Sequence, residues 1–515
     1  MTVKIDRSAI PRTYREYLDR LKSMGEMREI DDEVDWNYES GAILRRAYEA
    51  CLPGPIFNKT KDSPEGFRAA CFGMAKSGTP GQTWCRLAVM LGMPPDSGLM
   101  NMLAAYREAV KTGKRHDPVI VDAADAPCKE NKWFGEDIDL NKFPTPLGRL
   151  GDSARYINQA GINICRTPDG KWTNWSTNRG CIVDKNTMTG LWLRPTQHNG
   201  MIHEMWEKEG KDMPFAIALG ISPAVATQAA SRIPDWVDEY DVASALMDAP
   251  LDMARCETND LLVPADTEIV IEGTVSISDK KIDGPFGEFP GYLFEDAKGP
   301  APVMNIEAVT FRNDPILPLA LPGAPTDTTH ICMGFFGGAD ITDALQDAGI
   351  PVIDALMTFE SALHWTVVRV HSDWHKRTGL NTDDFIKKIA EVFWDKNTHV
   401  GHTVAKIIVV GEDIDPSRPD LISWAFATRN HARDGTYFFD YEGFFGTGLE
   451  AYMKVNEHLT HTSSGLCIYS CLTSKERMGF NRPLIMRFEE NYPPILQEKV
   501  LANLDRWGFT NGSQC

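Results

Sequence analysis

The middle of this chain has a different sequence texture from its two ends. Between about residues 131 and 322, short segments that alternate apolar and polar residues are separated by Gly, Asp and Pro, as in residues 161–165, 267–275 and 303–311. Alternation with a period of two is typical of half-buried β-strands. We therefore predict a β-rich central domain, a split β-barrel or a sandwich, with a different kind of domain on either side.

The two flanking regions repeat apolar residues at helical spacing. This spacing occurs in residues 12–22 and 383–394, and the apolar run at residues 405–410 is typical of a buried strand between helices. We predict an α/β (α+β) protein with four parts: an N-terminal α/β domain over residues 1–130, the central split β-barrel over residues 131–322, a C-terminal α/β domain over residues 323–492, and a terminal helix and tail over residues 493–515.

The terminal helix carries an apolar stripe that must be covered. After Pro493 and Pro494, the stripe is formed by Leu496, Val500, Leu504 and Trp507. It packs either on its own domain or, as a swapped helix, on a partner subunit. The sequence alone leaves both arrangements open.

Length and composition exclude several classes of protein. A chain of 515 residues is too long for one hydrophobic core. Its 72 acidic and 53 basic residues give a net charge of -19, which argues against nucleic acid as a partner. The charged amino terminus and the lack of any run of about 18 apolar residues predict a cytoplasmic protein with no membrane span. Its 11 cysteines form no CxxC pair, so we expect reduced thiols.

A first candidate site lies in Asn174-Trp-Ser-Thr-Asn-Arg179. An amide oxygen, two hydroxyls and a guanidinium within six residues are suited to binding a metal ion and a phosphate. His198 follows at hairpin distance, and an imidazole beside an amide oxygen suits a divalent ion such as manganese. Residues 234–241 offer four carboxylates, any of which can complete the shell. Each of these residues, taken alone, is also an ordinary surface or core residue.

A second candidate site is Asp283-Gly-Pro-Phe-Gly-Glu288. Its glycines and proline predict a tight, non-helical turn that points both acids the same way. A Glu288 held between Arg179 and Asp283 would carry a proton near neutral pH and donate it to a carbanion. The alternative is an ordinary turn with solvated acids.

Two Gly-Phe-Phe-Gly runs, at residues 334–338 and 443–448, lack both the dinucleotide-binding spacing and a P-loop lysine. We predict that they are loops whose paired phenylalanines line a pocket. In the second run these are Phe444 and Phe445.

Six motifs occur together in an order that resembles one family. They are Lys171-Trp-Thr-Asn-Trp-Ser176, Pro195-Thr-Gln-His198, Cys256-Glu-Thr-Asn-Asp-Leu-Leu-Val-Pro264, Gly284-Pro-Phe-Gly-Glu288, Thr326-Asp-Thr-Thr-His330 and Trp424-Ala-Phe-Ala-Thr-Arg429. In order and spacing the chain resembles the UbiD family of reversible decarboxylases, and within it the ferulic acid decarboxylase branch.

The resemblance implies prenylated FMN held through a manganese-type divalent ion and K⁺, so that the central domain would be the flavin-binding one. The implied Mn²⁺ ligands are Asn174, His198 and Glu239. Backbone carbonyls of Ala229, Ser231 and Arg232, with Glu239, would hold K⁺. The remaining implied cofactor contacts are Trp175, Ser176, Thr177, Asn178, Arg179, Gln197 and His399.

The resemblance also implies a catalytic set of Arg179, Asp283 and Glu288, with Glu288 as the proton donor. The sequence departs from the ferulic acid branch in two places: Asp283 replaces a glutamate, and His399 replaces a lysine that reaches the cofactor. Asp283 is therefore expected to have a supporting role, and His399 with the nearby His402 would suit a flat acid with a polar edge, more polar than cinnamate.

The implied activity is reversible, non-oxidative decarboxylation of an aromatic, heteroaromatic or α,β-unsaturated acid. Alternatives are a ferulic or cinnamic acid decarboxylase proper, an enzyme working mainly as a carboxylase, and a non-catalytic flavin-binding protein. Expected partners are the carboxylic acid, CO₂, a UbiX-type flavin prenyltransferase and a second copy in a homodimer or larger assembly. The candidate substrate pocket contains Thr326, His330, His399, His402, Phe444 and Phe445.

Overall fold

The computed structural model describes residues 4–192, 197–394, 400–401, 404–442, 451, 463–473 and 484–509. In these residues the chain forms a mixed α/β fold with four sheets. No helix in the described ranges is both long enough and apolar enough to span a bilayer.

The N-terminal region combines helices with a small sheet. Its elements are α1 (Tyr14–Ser23), β1 (Met27–Val34), α2 (Glu39–Glu49), β2 (Gly54–Thr60), β3 (Arg68–Cys71), α3 (Cys85–Met90) and α4 (Leu99–Thr112). The predicted first helix is confirmed: Thr13 caps α1 by accepting a hydrogen bond from the Glu16 N–H, and Tyr14 and Leu21 are fully buried.

The central region is mostly strand. Its elements are β4 (Val119–Ile120), β5 (Asn131–Phe134), β6 (Tyr156–Asn158), β7 (Ile162–Arg166), β8 (Thr173–Ser176), β9 (Gly180–Asp184), β10 (Thr187–Gly190), α5 (His198–Lys208), β11 (Met213–Leu219), α6 (Pro223–Ala226), α7 (Glu239–Met247), β12 (Asp252–Arg255), β13 (Leu262–Pro264), β14 (Ile269–Asp283), β15 (Gly299–Phe311) and β16 (Ile316–Leu319).

Nine of these strands form one open sheet, in the order β6-β9-β10-β15-β14-β11-β7-β8, with β5 paired to β15. The closed form of the predicted split β-barrel is therefore wrong, because the edge strands β6 and β8 do not pair with each other in the described structure. Sequence alternation predicts half-buried strands but carries no signal for whether two distant edges meet. Two smaller sheets lie beside the nine-stranded one: β4 joins β12 and β13, and β16 pairs with β3 as an edge of the N-terminal sheet.

The C-terminal region alternates helices and strands. Its elements are α8 (Thr328–Asp347), β17 (Val352–Met357), β18 (Trp365–Val370), α9 (Trp374–Thr378), α10 (Thr382–Trp394), β19 (Lys406–Val410), α11 (Pro419–Arg429), β20 (Thr436–Glu442), β21 (Ser463–Cys471), α12 (Phe488–Asn491) and α13 (Pro494–Leu501). The predicted strand at 405–410 and helix at 383–394 are confirmed as β19 and α10.

The prediction of a loop at residues 334–338 is wrong, because this segment lies inside α8. A Cβ added at Gly334 would lie 2.5 Å from the carbonyl oxygen of Met357, and one at Gly338 would lie 2.7 Å from that of Ala355. The glycines thus let α8 pack closely on β17. Phe335 and Phe336 are fully buried core residues rather than pocket residues. The second run, with Phe444 and Phe445, lies outside the described residues.

The terminal helix α13 has no buried residue in the described structure. Within the predicted stripe, Leu496 is 39% and Trp507 is 47% exposed, whereas Val500 and Leu504 are partly buried. Both arrangements, packing on its own domain and packing on a partner subunit, stay predictions.

Candidate active site

A buried arginine lies between two carboxylates at the turn that joins β8 to β9. The Nε and Nη2 atoms of Arg179 donate to Oδ1 of Asp283 at 2.9 and 2.5 Å, and its Nη1 donates to Oε1 of Glu288. The side chains are 11%, 3% and 14% exposed, respectively. The sequence predicts Glu288 between the other two groups. That order is wrong, because the guanidinium has enough donors to bridge both acids.

Local hydrogen bonds hold Arg179 in this position. The backbone carbonyl of Asn178 accepts hydrogen bonds from the side-chain amides of Asn158 and Asn163, at 2.9 and 3.2 Å. The Arg179 guanidinium also lies over the rings of Phe286 and Tyr156, at 5.2 and 5.8 Å from their centroids. The two carboxylates and the two aromatic rings together fix the orientation of the guanidinium. It is therefore preorganised for binding or orienting an anion.

Asp283 is anchored from its second oxygen as well. The hydroxyl of Thr189 donates to its Oδ2 at 3.0 Å. Asp283 ends β14, and Gly284 then turns the chain with a φ of +87°, a backbone region that favours glycine. The turn brings Glu288 back to the guanidinium that Asp283 already contacts.

Two opposing effects act on the proton affinity of Glu288. Burial raises its pKa, the nearby guanidiniums of Arg179 and Arg149 lower it, and Asp283 and Asp152 raise it again. The net direction is upward from the ordinary glutamate value. Glu288 therefore holds a proton at higher pH than a solvated glutamate does, as a general acid requires.

Two residues near Glu288, Arg149 and Asp152, are not among the candidates that the sequence suggests. Asp152 accepts from Nε of Arg149 at 3.1 Å and from the backbone N–H of Gly287 at 2.8 Å. The only signal for them was two opposite charges in the short Gly148-Arg-Leu-Gly-Asp152 turn, more than 130 residues before the loop that they contact.

Arg179, Asp283 and Glu288 form a charged triad. Next to this triad, a cavity of about 220 Å³ is lined by most of the residues that were predicted to bind cofactor and metal. Its walls come from the β8–β9 turn, the start of α5, the segment after α6 and the start of α7. The lining residues are Asn174, Trp175, Ser176, Thr177, Asn178, Gln197, His198, Ala229, Ala230, Ser231, Arg232, Ile233, Glu239 and Met333.

The floor of this cavity contains polar groups without protein partners. Oδ1 of Asn174 and Oγ of Ser176 are buried and have no hydrogen-bond partner among the described residues. Asn174 is 1% exposed. Because leaving a buried acceptor unpaired costs about 1–3 kcal/mol, a bound ion or ligand that supplies a partner to these atoms would be stabilised here.

Glu239 is a nearly buried carboxylate on the wall of this cavity. It begins α7, is 2% exposed and accepts the Trp175 backbone N–H at 2.7 Å through Oε2. Burial raises its pKa to about 8, although this hydrogen bond acts in the opposite direction. No arginine or lysine forms an ion pair with it in the described structure.

His198 lies beside this carboxylate. Its Nδ1 is 4.0 Å from Oε1 of Glu239, and its Nε2 is 3.0 Å from Oδ1 of Asp235. Of the four acids in residues 234–241, Glu239 alone lines the cavity. In the described residues no group of three or more His, Cys, Asp or Glu side chains is suited to hold a metal. The predicted set of Asn174, His198 and Glu239 contains only two residues of those types.

Of the six candidate substrate residues, the structure describes two, Thr326 and His330. Thr326 and His330 are buried beside the loop that carries Glu288. Both ring nitrogens of His330 are engaged: Nε2 lies 2.7 Å from the carbonyl oxygen of Phe289, and Nδ1 accepts the backbone N–H of Asp327 at 3.2 Å. His330 therefore braces the loop instead of offering a free polar edge. His399, His402, Phe444 and Phe445 lie outside the described residues.

Comparisons with known proteins identify the family of the chain. Three models of the UbiD 3-octaprenyl-4-hydroxybenzoate carboxy-lyase match the chain: the N-terminal domain over residues 18–106, the Rift-related domain over residues 119–325 and the C-terminal domain over residues 330–468. The matches and the site define a carboxy-lyase.

Two relatives that match over nearly their full length identify the family to which the chain belongs. A pyrrole-2-carboxylic acid decarboxylase of Pseudomonas aeruginosa is 35% identical, over 98% of this chain and 99% of its own. Ferulic acid decarboxylase 1 of Saccharomyces cerevisiae is 32% identical, over 96% and 98%. The chain belongs to the UbiD family, as its motif order predicts.

Solved structures show the same fold. The UbiD-class enzyme HmfF from Pelotomaculum thermopropionicum, in complex with FMN, is 25% identical and superposes with a TM-score of 0.76 over 95% of this chain and 99% of its own. The closed form of a vanillic acid decarboxylase from Sedimentibacter hydroxybenzoicus has a TM-score of 0.81 over 97% and 99%. At 22% identity, this second likeness concerns the fold alone.

Proposed function

We propose that this carboxy-lyase decarboxylates an aromatic, heteroaromatic or α,β-unsaturated acid reversibly and without net oxidation, using prenylated FMN, with Glu288 as the proton donor. The observation that carries the proposal is the buried Arg179 bridging Asp283 and Glu288, next to a polar cavity. The named activities of the relatives support this class of substrate.

The residues of the cavity fit a flavin phosphate held through cations. Oδ1 of Asn174 and Oγ of Ser176 are unpartnered among the described residues, and Glu239 is a buried carboxyl group that forms no ion pair with an arginine or lysine there. An amide oxygen, an imidazole and a carboxylate are a suitable ligand set for Mn²⁺. We propose Asn174, His198 and Glu239 as its ligands.

K⁺ would be held by the backbone carbonyls of Ala229, Ser231 and Arg232, with Glu239, on the same cavity wall. When bound, prenylated FMN supplies the electron sink that decarboxylation at an sp² carbon needs, because the electron pair left there lies in the molecular plane.

Arg179 has two tasks in this proposal. Its guanidinium first attracts the substrate carboxylate, and its contact with Glu288 then keeps that side chain directed at the reacting carbon. After CO₂ leaves, Glu288 transfers its proton from a carboxyl oxygen to that carbon. In the reverse direction Glu288 removes the same proton. Asp283 keeps Arg179 in place and balances its charge.

Burial of the triad supports this division of labour. Charge–charge interactions are stronger where water is excluded, and the aromatic rings of Phe286 and Tyr156 cover the guanidinium. Because the pKa of Glu288 is raised, the proton is held at higher pH than on a free glutamate, and protonation should slow as pH rises through that pKa.

The substrate is best described as a flat carboxylic acid. Since His330 is committed to the backbone of Phe289, it does not argue for a polar substrate. Pyrrole carboxylates, hydroxybenzoates and cinnamate-type acids all stay in the proposal. A UbiX-type prenyltransferase as cofactor supplier, a homodimer or larger assembly that covers α13, and a cytoplasmic location belong to the same proposal.

The test is expression with and without a co-expressed UbiX-type prenyltransferase. Each preparation is examined by its flavin absorption spectrum and by CO₂ release and deuterium exchange on a panel of pyrrole, phenolic and cinnamic acids. We expect a modified flavin and turnover only with the prenyltransferase. Flavin binding without exchange on any acid would indicate a binding protein. Turnover only at high bicarbonate would indicate a carboxylase.

A further inference from the structure

A second arginine lies against the loop that carries Glu288. Arg149 lies over the ring of Phe286, 4.7 Å from its centroid, and its side chain is 18% exposed. Phe286 is the same ring that Arg179 approaches at 5.2 Å. The two guanidiniums thus share one aromatic ring, two residues before the proton donor.

Contacts of Arg149 and Asp152 fix the backbone of this loop. Oδ1 of Asp152 accepts the Gly287 N–H at 2.8 Å, and Ser153 donates its backbone N–H to the carbonyl of Pro285 at 2.9 Å. A Cβ at Gly287 would lie 2.6–2.7 Å from Cζ, Nε and Nη1 of Arg149. The backbone just before Glu288 is therefore shaped around the Arg149 guanidinium.

The charge of Arg149 is only partly neutralised. Its Nε donates to Asp152 at 3.1 Å, its Nη1 donates to the neutral carbonyl of Pro322, and its buried Nη2 has no hydrogen-bond partner among the described residues. The charged groups that face Glu288 are Arg179 and Asp283 from the β-sheet and Arg149 and Asp152 from the 148–152 turn.

We propose that Arg149, held by Asp152, is a positioning residue for Glu288: it fixes the backbone of residues 285–288 and supplies a second positive charge beside the Glu288 carboxylate. Arg149 forms no ion pair with Glu288 within 4 Å in the described structure, so its action is through the backbone and through the electric field. The inference deepens the proposed function and rests on Glu288 as the proton donor.

The experiment titrates Glu288 in the flavin-free protein, by the infrared C=O band of the protonated carboxyl that Glu288→Gln removes. Removing a nearby cation favours the protonated acid, so Arg149→Gln should raise the midpoint by about one pH unit. Asp152→Asn should lower it. In the double variant the two shifts should largely cancel. Arg149→Lys, which keeps the charge, should stay near the wild-type midpoint.

Leu150→Ala is the matched control, because Leu150 is on the same turn but is 83% exposed. Its midpoint should equal that of the wild type. A wild-type midpoint in Arg149→Gln, or an equal shift in Leu150→Ala, would overturn the inference. If Arg149→Gln does not fold, Asp152→Asn and the double variant still test the direction in which the Glu288 midpoint shifts.

This titration uses neither cofactor nor substrate, so it is independent of turnover. An inactive wild-type enzyme would overturn the proposed function while the midpoints still decide on Arg149. In active enzyme, Arg149→Gln should displace the pH profile of kcat in the same direction as the infrared midpoint.

Discussion

The charged triad and the adjacent cavity are both buried in the central region, but they differ in how their charges are compensated. Around Arg179, the protein supplies the cation and both anions, and the guanidinium contacts each acid directly. Around Glu239, the protein supplies a buried carboxyl group and the Trp175 backbone N–H, and no arginine or lysine of the described structure forms an ion pair with this group. The charges of Arg179, Asp283 and Glu288 are thus compensated within the protein, whereas the Glu239 carboxyl group has no such ion pair among the described residues.

Because of this difference, we expect the triad and the cavity to have different functions. Charges compensated within the protein stay in place while substrate enters and leaves, which suits catalysis. A carboxylate without its cation is costly to bury and gains free energy when an ion binds. Mutations in the triad should therefore act on the reaction, and mutations in the cavity should act on ligand binding.

The largest effect is expected for Glu288→Gln. The amide keeps the shape of the side chain but cannot donate an acidic proton, so CO₂ release and deuterium exchange should fall by about a thousandfold or more. Flavin content should not change. Glu295→Gln, an exposed acid seven residues on, is the control and should stay active. Retained exchange in Glu288→Gln would remove it from the mechanism.

A large loss of stability is expected for Arg179→Met. It leaves Asp283 and Glu288 buried without their cation, which should cost about 3 kcal/mol in the free energy of unfolding near pH 8. The pKa of Glu288 is already raised by burial, and it should rise further without the arginine. Glu288 can then be protonated in the fold at low pH, so the destabilisation should shrink toward pH 5.

Denaturant unfolding at pH 5 and pH 8 measures how much free energy of unfolding Arg179→Met loses at each pH. Arg166→Met is the control, because Arg166 pairs with Asp260, which is 73% exposed, and such surface pairs contribute little. An Arg179→Met destabilisation that is equal at pH 5 and pH 8 would contradict the account.

Ion binding tests the cavity. Added Mn²⁺ should stabilise the wild-type protein by about 2.7 kcal/mol at a hundred times its Kd, as ligand linkage requires. Glu239→Gln should remove most of this gain, measured as a shift in Tm with flavin absent. Asp241→Asn is the control, since Asp241 is on the same helix but pairs with Arg115 away from the cavity. An unchanged Mn²⁺ response in Glu239→Gln would exclude it as a ligand.

The smallest effect is expected for Asp283→Glu, which lengthens the side chain by one methylene and keeps its charge. The extra methylene enters a site that is 3% exposed and must keep its contacts with Arg179 and Thr189. We expect no more than about a tenfold change in kcat/KM, because the charge is kept and the displacement is small. A loss as large as that of Glu288→Gln would assign Asp283 a direct part in proton transfer.

Hydrophobic periodicity in the sequence predicted those helices and strands whose burial follows from their own residues. Periodicity identified α1, α10 and β19, because an apolar stripe on a helix or an apolar run in a strand records which face is buried. Residues 334–338 were misread as a loop, because glycine disfavours isolated helices. There the close contact of α8 with β17 requires glycine and outweighs that preference.

For the site, the sequence by itself determined which chemical groups are available: the 174–179 segment, Glu239 and the acids of the 283–288 turn. Only the tertiary structure decided that Arg179 lies between the two acids, and that Arg149 and Asp152 contact the loop that carries Glu288. Pairing of charges across a hundred residues depends on how the strands are arranged in space, and residue types alone do not record that arrangement.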